Sequence, residues 1–86
     1  MTERTSLIEA AVATLRTRIT SGEWAVGTRI PPEPALTELL GVGRNTVREA
    51  VQSLVHSGLL VRRQGSGTYV LADDELAVSM SRHIQG

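Results

Sequence analysis

The segment from Arg44 to Arg48, with the sequence RNTVR, concentrates side chains that can hydrogen-bond nucleic acid, and Gln52 follows one helical turn later. Arginine can donate two hydrogen bonds to guanine, asparagine and glutamine can pair with adenine, and threonine can reach a phosphate oxygen. On a helix, Arg44 and Arg48 share one side, where their mutual repulsion is relieved when an anion binds. Taken alone, the segment fits an ordinary solvent-exposed helix face equally well.

A second group of polar residues lies in a predicted β-hairpin, with strands over residues 59–63 and 68–71 and a four-residue turn between them. Glycines in the turn allow another backbone to approach closely. Basic side chains beside such a turn would suit the sugar-phosphate backbone or the minor groove of a duplex. An ordinary hairpin that needs glycine for its turn is the alternative. The polar residues are Arg62, Arg63, Gln64, Gly65 and Ser66.

Three amphipathic segments predict the helices that position these groups. The first runs from Thr5 to Thr20, begins at a cap from Thr5 or Ser6, and ends before Gly22. Its apolar residues recur at the spacing of one helical face: Leu7, Ile8, Ala11, Val12, Leu15 and Ile19.

The second and third helices are predicted on either side of a Gly41–Gly43 turn. The second runs from Pro34 to Leu40, with Glu33 as its N-cap and Pro34 at the tolerated first position. The third runs from Arg44 to His56 and is ended by Gly58. The residues expected to face inward are Leu36, Leu39 and Leu40 in the second helix, and Val47, Ala50, Val51, Leu54 and Val55 in the third.

This order of elements predicts a mainly α-helical domain with a small β-hairpin. Two helices joined by a short glycine-containing turn form a helix-turn-helix unit, whose second helix can enter the major groove. The fold expected over residues 1–72 is therefore a winged helix-turn-helix of three helices and a two-stranded wing, with 44–56 as recognition helix and 62–69 as the wing. Residues 73–86 are expected to be a linker, or the start of a fourth helix leading to an absent effector domain; one face would carry Leu76, Ala77, Met80, His83 and Ile84.

The composition narrows the function classes further. The formal net charge is zero, but the charge is unevenly spread: residues 39–72 carry four arginines against one glutamate. There is no cysteine, and no nucleophile–base pair, carboxylate pair or metal-ligand cluster is recognisable. We therefore expect no catalysis, no cofactor and no metal. The absence of a long apolar run or a secretory signal favours a cytoplasmic protein without a membrane partner.

Residues 6–72 resemble the N-terminal domain of GntR-type transcription regulators. The most telling segments are LTELLGVGRNTVREAV and GLLVRRQGSGTYV, within the span from Gly27 to Val70. The resemblance implies a winged helix-turn-helix that binds a two-fold symmetric, pseudo-palindromic operator as a homodimer and usually represses transcription. It also implies that a small-molecule effector acts only through a second domain that this chain lacks.

The resemblance also assigns roles to individual residues. Those implied are base reading by Arg44 and Arg48, backbone contacts by Asn45 and Thr46, and minor-groove contact by Gln64 and Gly65. Two positions depart from the family pattern. Pro34 stands where an arginine usually contacts DNA, and Gly43 stands where serine or threonine is common.

A second class of function is a protein-interaction or dimerisation module, because winged helices also serve as docking domains. The zero net charge and the acidic residues after residue 72 favour it modestly. Titration into random duplex DNA at low salt separates the two hypotheses, because a docking module would not bind.

Overall fold

The computed structural model describes residues 2–73, and these residues form three helices followed by one hairpin. The elements in chain order are α1 (Thr2–Thr20), α2 (Glu33–Leu40), α3 (Arg44–Ser57), β1 (Leu60–Arg63) and β2 (Gly67–Val70). The predicted fold class is confirmed. The amphipathic face predicted over 76–84 lies outside the described residues.

Proline and glycine set the boundaries of α2 and α3. Pro32, in extended backbone conformation, is the N-cap of α2, so the expectation that Glu33 caps this helix is wrong; Glu33 is its first residue. Gly58 ends α3 with a left-handed φ of 91°, and its N–H donates to the carbonyls of Leu54 and Val55. Such a conformation satisfies terminal carbonyls and favours glycine, which has no Cβ to clash.

The core lies around α3, against which α1, α2 and β1 all pack, and every element contributes residues to it. Full burial of a Leu, Ile or Val side chain stabilises a fold by about 1.5–3 kcal/mol, so these residues dominate its stability. The buried apolar residues are Ala11, Leu15, Ile19, Ile30, Leu36, Val47, Ala50, Val51, Leu54, Leu59, Leu60 and Val70.

The hairpin has an extended segment along its second edge. β1 and β2 pair in antiparallel fashion, with Leu60 opposite Val70 and Arg63 opposite Gly67. On the other side of β2, the N–H of Ile30 donates to the carbonyl of Thr68, and the N–H of Val70 donates to that of Thr28. The segment of residues 28–30 therefore ties the hairpin to the chain leading into α2.

Several details differ from the sequence prediction. α1 begins at Thr2, so neither Thr5 nor Ser6 caps it. Leu7 and Leu39, both expected to face inward, are 45% and 43% exposed. Both belong to the apolar stripe predicted for their helix, but the elements packed against that helix leave nearly half of each side chain uncovered. The hairpin turn has three residues, 64–66, rather than four, because Gly67 already pairs in β2.

Candidate nucleic-acid interface

The first turn of α3 presents its polar side chains to solvent. Val47 is fully buried and anchors the helix, whereas Arg44, Asn45 and Arg48 are exposed and Thr46 is half-buried. Among the described residues, no side-chain hydrogen bond or ion pair of Arg44 is found. Its guanidinium donors are therefore available for a partner outside the chain.

Arg48 is held by an acidic residue from the preceding helix. Its Nε lies 3.5 Å from Oε2 of Glu33, the first residue of α2. Both side chains are partly exposed, so solvent screens this ion pair and limits it to about 0–1 kcal/mol. A phosphate or a base edge can compete for Arg48 at this small cost.

Gln52 and Arg62, both predicted to contact DNA, instead contact each other in the free protein. Nη1 of Arg62 in β1 donates to Oε1 of Gln52 in α3 over 2.7 Å. Both side chains are exposed. This bond ties the wing (residues 62–69) to the middle of α3, and it occupies the Gln52 carbonyl that could otherwise accept from a base.

The wing tip (residues 64–66) is organised around Tyr69. The Tyr69 and Ser66 hydroxyls lie 2.5 Å apart, and the Arg63 guanidinium lies 5.2 Å from the centroid of the Tyr69 ring. The Ser66 N–H donates to the Arg63 carbonyl and closes the turn. Gln64 and Gly65 are exposed at its end.

A groove of about 410 Å³ separates α3 from the wing. Arg48 of α3 and Arg62 of the wing line it, together with Arg29 from the chain before α2 and Glu33, the first residue of α2. Three arginines against one glutamate give the groove a net positive charge. Side chains of α3 and of the wing thus line one groove with a net positive charge.

Arg29 and Glu33 are the charged residues of this groove that the sequence did not mark as DNA contacts. Arg29 donates from Nη1 to the Ser66 carbonyl over 3.1 Å. The two partners are 37 residues apart in sequence, so periodicity could not associate them. The only signal in the sequence is the basic side chain itself, two residues before the Pro31–Pro32 pair that leads into α2.

The two departures from the family pattern have clear structural settings. Pro34 is exposed in the first turn of α2, where it offers no side-chain donor. Gly43 is the N-cap of α3, and no side chain caps this end. The first N–H groups of α3 are thus left without a competing side-chain acceptor, and such groups attract anions at a helix N-terminus.

Three helices, a glycine turn between α2 and α3, and a hairpin beside α3 define a winged helix-turn-helix protein. Comparison with known protein families identifies the family within this class. The model described as "Bacterial regulatory proteins, gntR family" matches residues 7–70, and the chain belongs to this family. The resemblance stated from sequence is therefore confirmed, and the family consists of transcription regulators rather than enzymes.

Relatives support the same placement. The chain is 45% identical over 53 residues to the histidine utilization repressor of Pseudomonas aeruginosa, covering 62% of this chain and 21% of that protein. It is 44% identical over 57 residues to the HTH-type transcriptional regulator YisV of Bacillus subtilis, covering 66% of this chain and 12% of that protein. The chain spans 12% to 28% of the length of the curated relatives it matches.

Solved structures share the fold. A GntR regulator from Rhodococcus sp. RHA1 is 33% identical with a TM-score of 0.71, covering 78% of this chain and 32% of that one. The DNA-binding domain of AraR in complex with operator ORX1 is 34% identical with a TM-score of 0.71, covering 74% of this chain and 77% of that one.

Residues 2–73 contain no helix long and apolar enough to cross a membrane. Within the same range, no group of three or more His, Cys, Asp or Glu side chains is placed to hold a metal ion.

Proposed function

We propose that this domain binds duplex DNA sequence-specifically, with α3 in the major groove and the wing at the backbone or minor groove. The observation that carries the proposal is the cationic groove that α3 and the wing share: Arg48 lines it from α3, and Arg62 and Ser66 line it from the wing. Arg44 is exposed on the same first turn of α3 as Arg48. A sugar-phosphate strand separates the major from the minor groove of a duplex. The groove between α3 and the wing is where that strand would lie.

The proposal divides the contacts by chemistry. Arg44 and Arg48 would read base edges, because they are exposed on the turn of α3 that enters the groove first, and Asn45 beside them would contact the DNA backbone. The half-buried Thr46 and the N–H groups after Gly43 would contact a phosphate. In the wing, Arg62, Arg63 and Ser66 would meet the backbone, while Gln64 and Gly65 would reach the minor groove. Gln52 would contact DNA once Arg62 releases the Gln52 side-chain amide and binds a phosphate instead.

We propose further that the domain acts as a homodimer on a pseudo-palindromic operator. Two-fold symmetric binding of helix-turn-helix domains requires half-sites about 34 Å apart, or a multiple of this distance. The same proposal divides the chain into a DNA-binding domain at 1–72 and a linker at 73–86, with an effector-binding unit beyond this chain. It also includes a cytoplasmic location and repression as the sign of regulation. Relatives named as repressors support repression, and the short share of their length that this chain covers supports a further unit.

The test is a selection of bound duplexes from a random pool, followed by titration of the selected and a scrambled duplex at several salt concentrations. We expect tighter binding to the selected duplex, with log affinity falling linearly as log salt rises, because bound phosphates release counterions. The stoichiometry should be two chains per two-fold symmetric duplex. Footprints of the two chains should lie about one helical turn, or roughly 34 Å, apart.

The alternative, a docking or dimerisation module, predicts a different result. Such a module would bind neither duplex even at low salt. Equal affinity for both duplexes would retain DNA binding but remove sequence specificity.

A further inference from the structure

Arg29 lies against the wing, although it belongs to the segment that precedes α2. Its backbone pairs with Tyr69 of β2 in an isolated antiparallel bridge. The neighbouring Ile30 N–H donates to the Thr68 carbonyl over 2.9 Å. These backbone contacts place the Arg29 side chain beside the wing tip, where Nη1 donates to the Ser66 carbonyl over 3.1 Å.

The aliphatic part of Arg29 also covers the wing backbone. A Cβ atom built on Gly67 would lie 2.7 Å from Cδ and 3.2 Å from Cγ of Arg29, closer than such atoms ordinarily approach. Gly67 has a φ of +144°, which also favours glycine. The absence of a side chain at Gly67 therefore lets the Arg29 stem lie directly on the hairpin.

The wing is thus attached along both of its edges. Arg62 ties β1 to Gln52 of α3, and Arg29 ties the tip and β2 to the chain entering α2. A two-stranded hairpin alone is at best marginally stable in water, so its orientation depends on such attachments. Of the two, only Arg29 bonds the tip itself.

We infer that Arg29 is a positioning residue for the wing: it fixes the wing tip relative to α3, so that Gln64 and Gly65 reach the minor groove while α3 occupies the major groove. This inference rests on the proposed function for its effect on DNA binding. The geometric part, that Arg29 sets the conformation of the tip, concerns the free protein alone. The two parts can therefore be tested separately.

The first test compares amide NMR spectra of the unliganded 86-residue chain and its Arg29→Ala and Arg29→Met variants. Arg29→Ala should shift the amide resonances of Gly65 and Gly67 and speed hydrogen exchange at Ile30, while the amides of α1 and α3 stay in place. Arg29→Met keeps a stem over Gly67 but loses the donor, so its shifts should be smaller. Unchanged wing resonances in Arg29→Ala would overturn the inference.

The second test is a double-mutant cycle on the selected operator, with Gln64→Ala as the partner substitution and Arg44→Ala as the control. In Arg29→Ala the wing tip must be ordered when DNA binds, at a cost no greater than the exposed hydrogen bond that is lost, so binding should weaken by up to about tenfold. In the Gln64→Ala background the same change should weaken binding only about twofold, because the contact that Arg29 positions is already absent. In the Arg44→Ala background the full loss should persist.

The outcomes distinguish this inference from the proposed function. A full loss in the Gln64→Ala background, with wing resonances unmoved and a shallower salt dependence, would mean that Arg29 contacts phosphate itself, and the positioning role would be wrong. If the wing resonances move but the unsubstituted chain binds no DNA, Arg29 does set the tip conformation and the proposed function is what fails.

Discussion

Replacement of Arg44 by alanine should separate DNA recognition from folding. Arg44 is exposed, and no side-chain partner of it is found among the described residues, so no stabilising contact is lost. The free energy of unfolding should change by less than about 0.5 kcal/mol. Removing the repulsion with Arg48, four residues away, makes a slight gain the expected direction. Thermal unfolding of the two chains measures this change in the free energy of unfolding.

The same substitution should strongly affect operator binding. Loss of one bidentate base contact costs about 1–3 kcal/mol, which is about 5- to 160-fold in affinity at 25 °C. The loss should vanish on duplexes in which the base pair read by Arg44 has been changed. Fluorescence anisotropy with a panel of single-base-pair variants of the selected operator measures both quantities.

Arg44→Lys is the matched control, because lysine keeps the charge but lacks the planar fork that makes two parallel hydrogen bonds. We expect it to keep the salt dependence of the unsubstituted chain and to lose most of the discrimination at the same base pair. An equal loss of affinity on every duplex, for both variants, would refute base reading by Arg44 and assign it to the phosphate backbone.

Three further predictions concern the wing, the core and the ion pair. Arg63→Ala should weaken binding to selected and scrambled duplexes alike and reduce the slope of log affinity against log salt by about 0.9, the value for one phosphate contact; an unchanged slope would remove that contact. Leu54→Ala should lower the free energy of unfolding by about 2–5 kcal/mol, because Leu54 is fully buried, whereas Ser53→Ala on the exposed side should change it by less than about 0.5 kcal/mol; similar values in chemical denaturation would place Leu54 outside the core. Glu33→Gln should change stability by less than about 1 kcal/mol, since its ion pair is partly exposed, and should tighten binding to random DNA at low salt by removing a negative charge from the groove; weaker binding would show that Glu33 holds Arg48 in its productive position.

The sequence predicted buried residues well where neighbouring elements together cover the whole apolar stripe of a helix. In α3, Val47, Ala50, Val51 and Leu54 are buried as expected, because this helix lies between α1, α2 and the hairpin. The prediction of burial failed at Leu39, which belongs to the apolar stripe of α2 but is 43% exposed. Periodicity identifies the apolar face of a helix, but only the packing partner decides how much of that face is covered.

The pattern of residue types alone determined that this chain forms three helices and a glycine-tipped hairpin, and that Arg44 lies on an outward face of α3. Those features depend on local periodicity and backbone preference, which residues close together in the sequence determine. Only the tertiary structure decided that Arg62 bonds Gln52 and that Arg29 bonds the wing tip. Such pairings depend on the angles at which distant elements meet, and these angles are set by how the core side chains fill space.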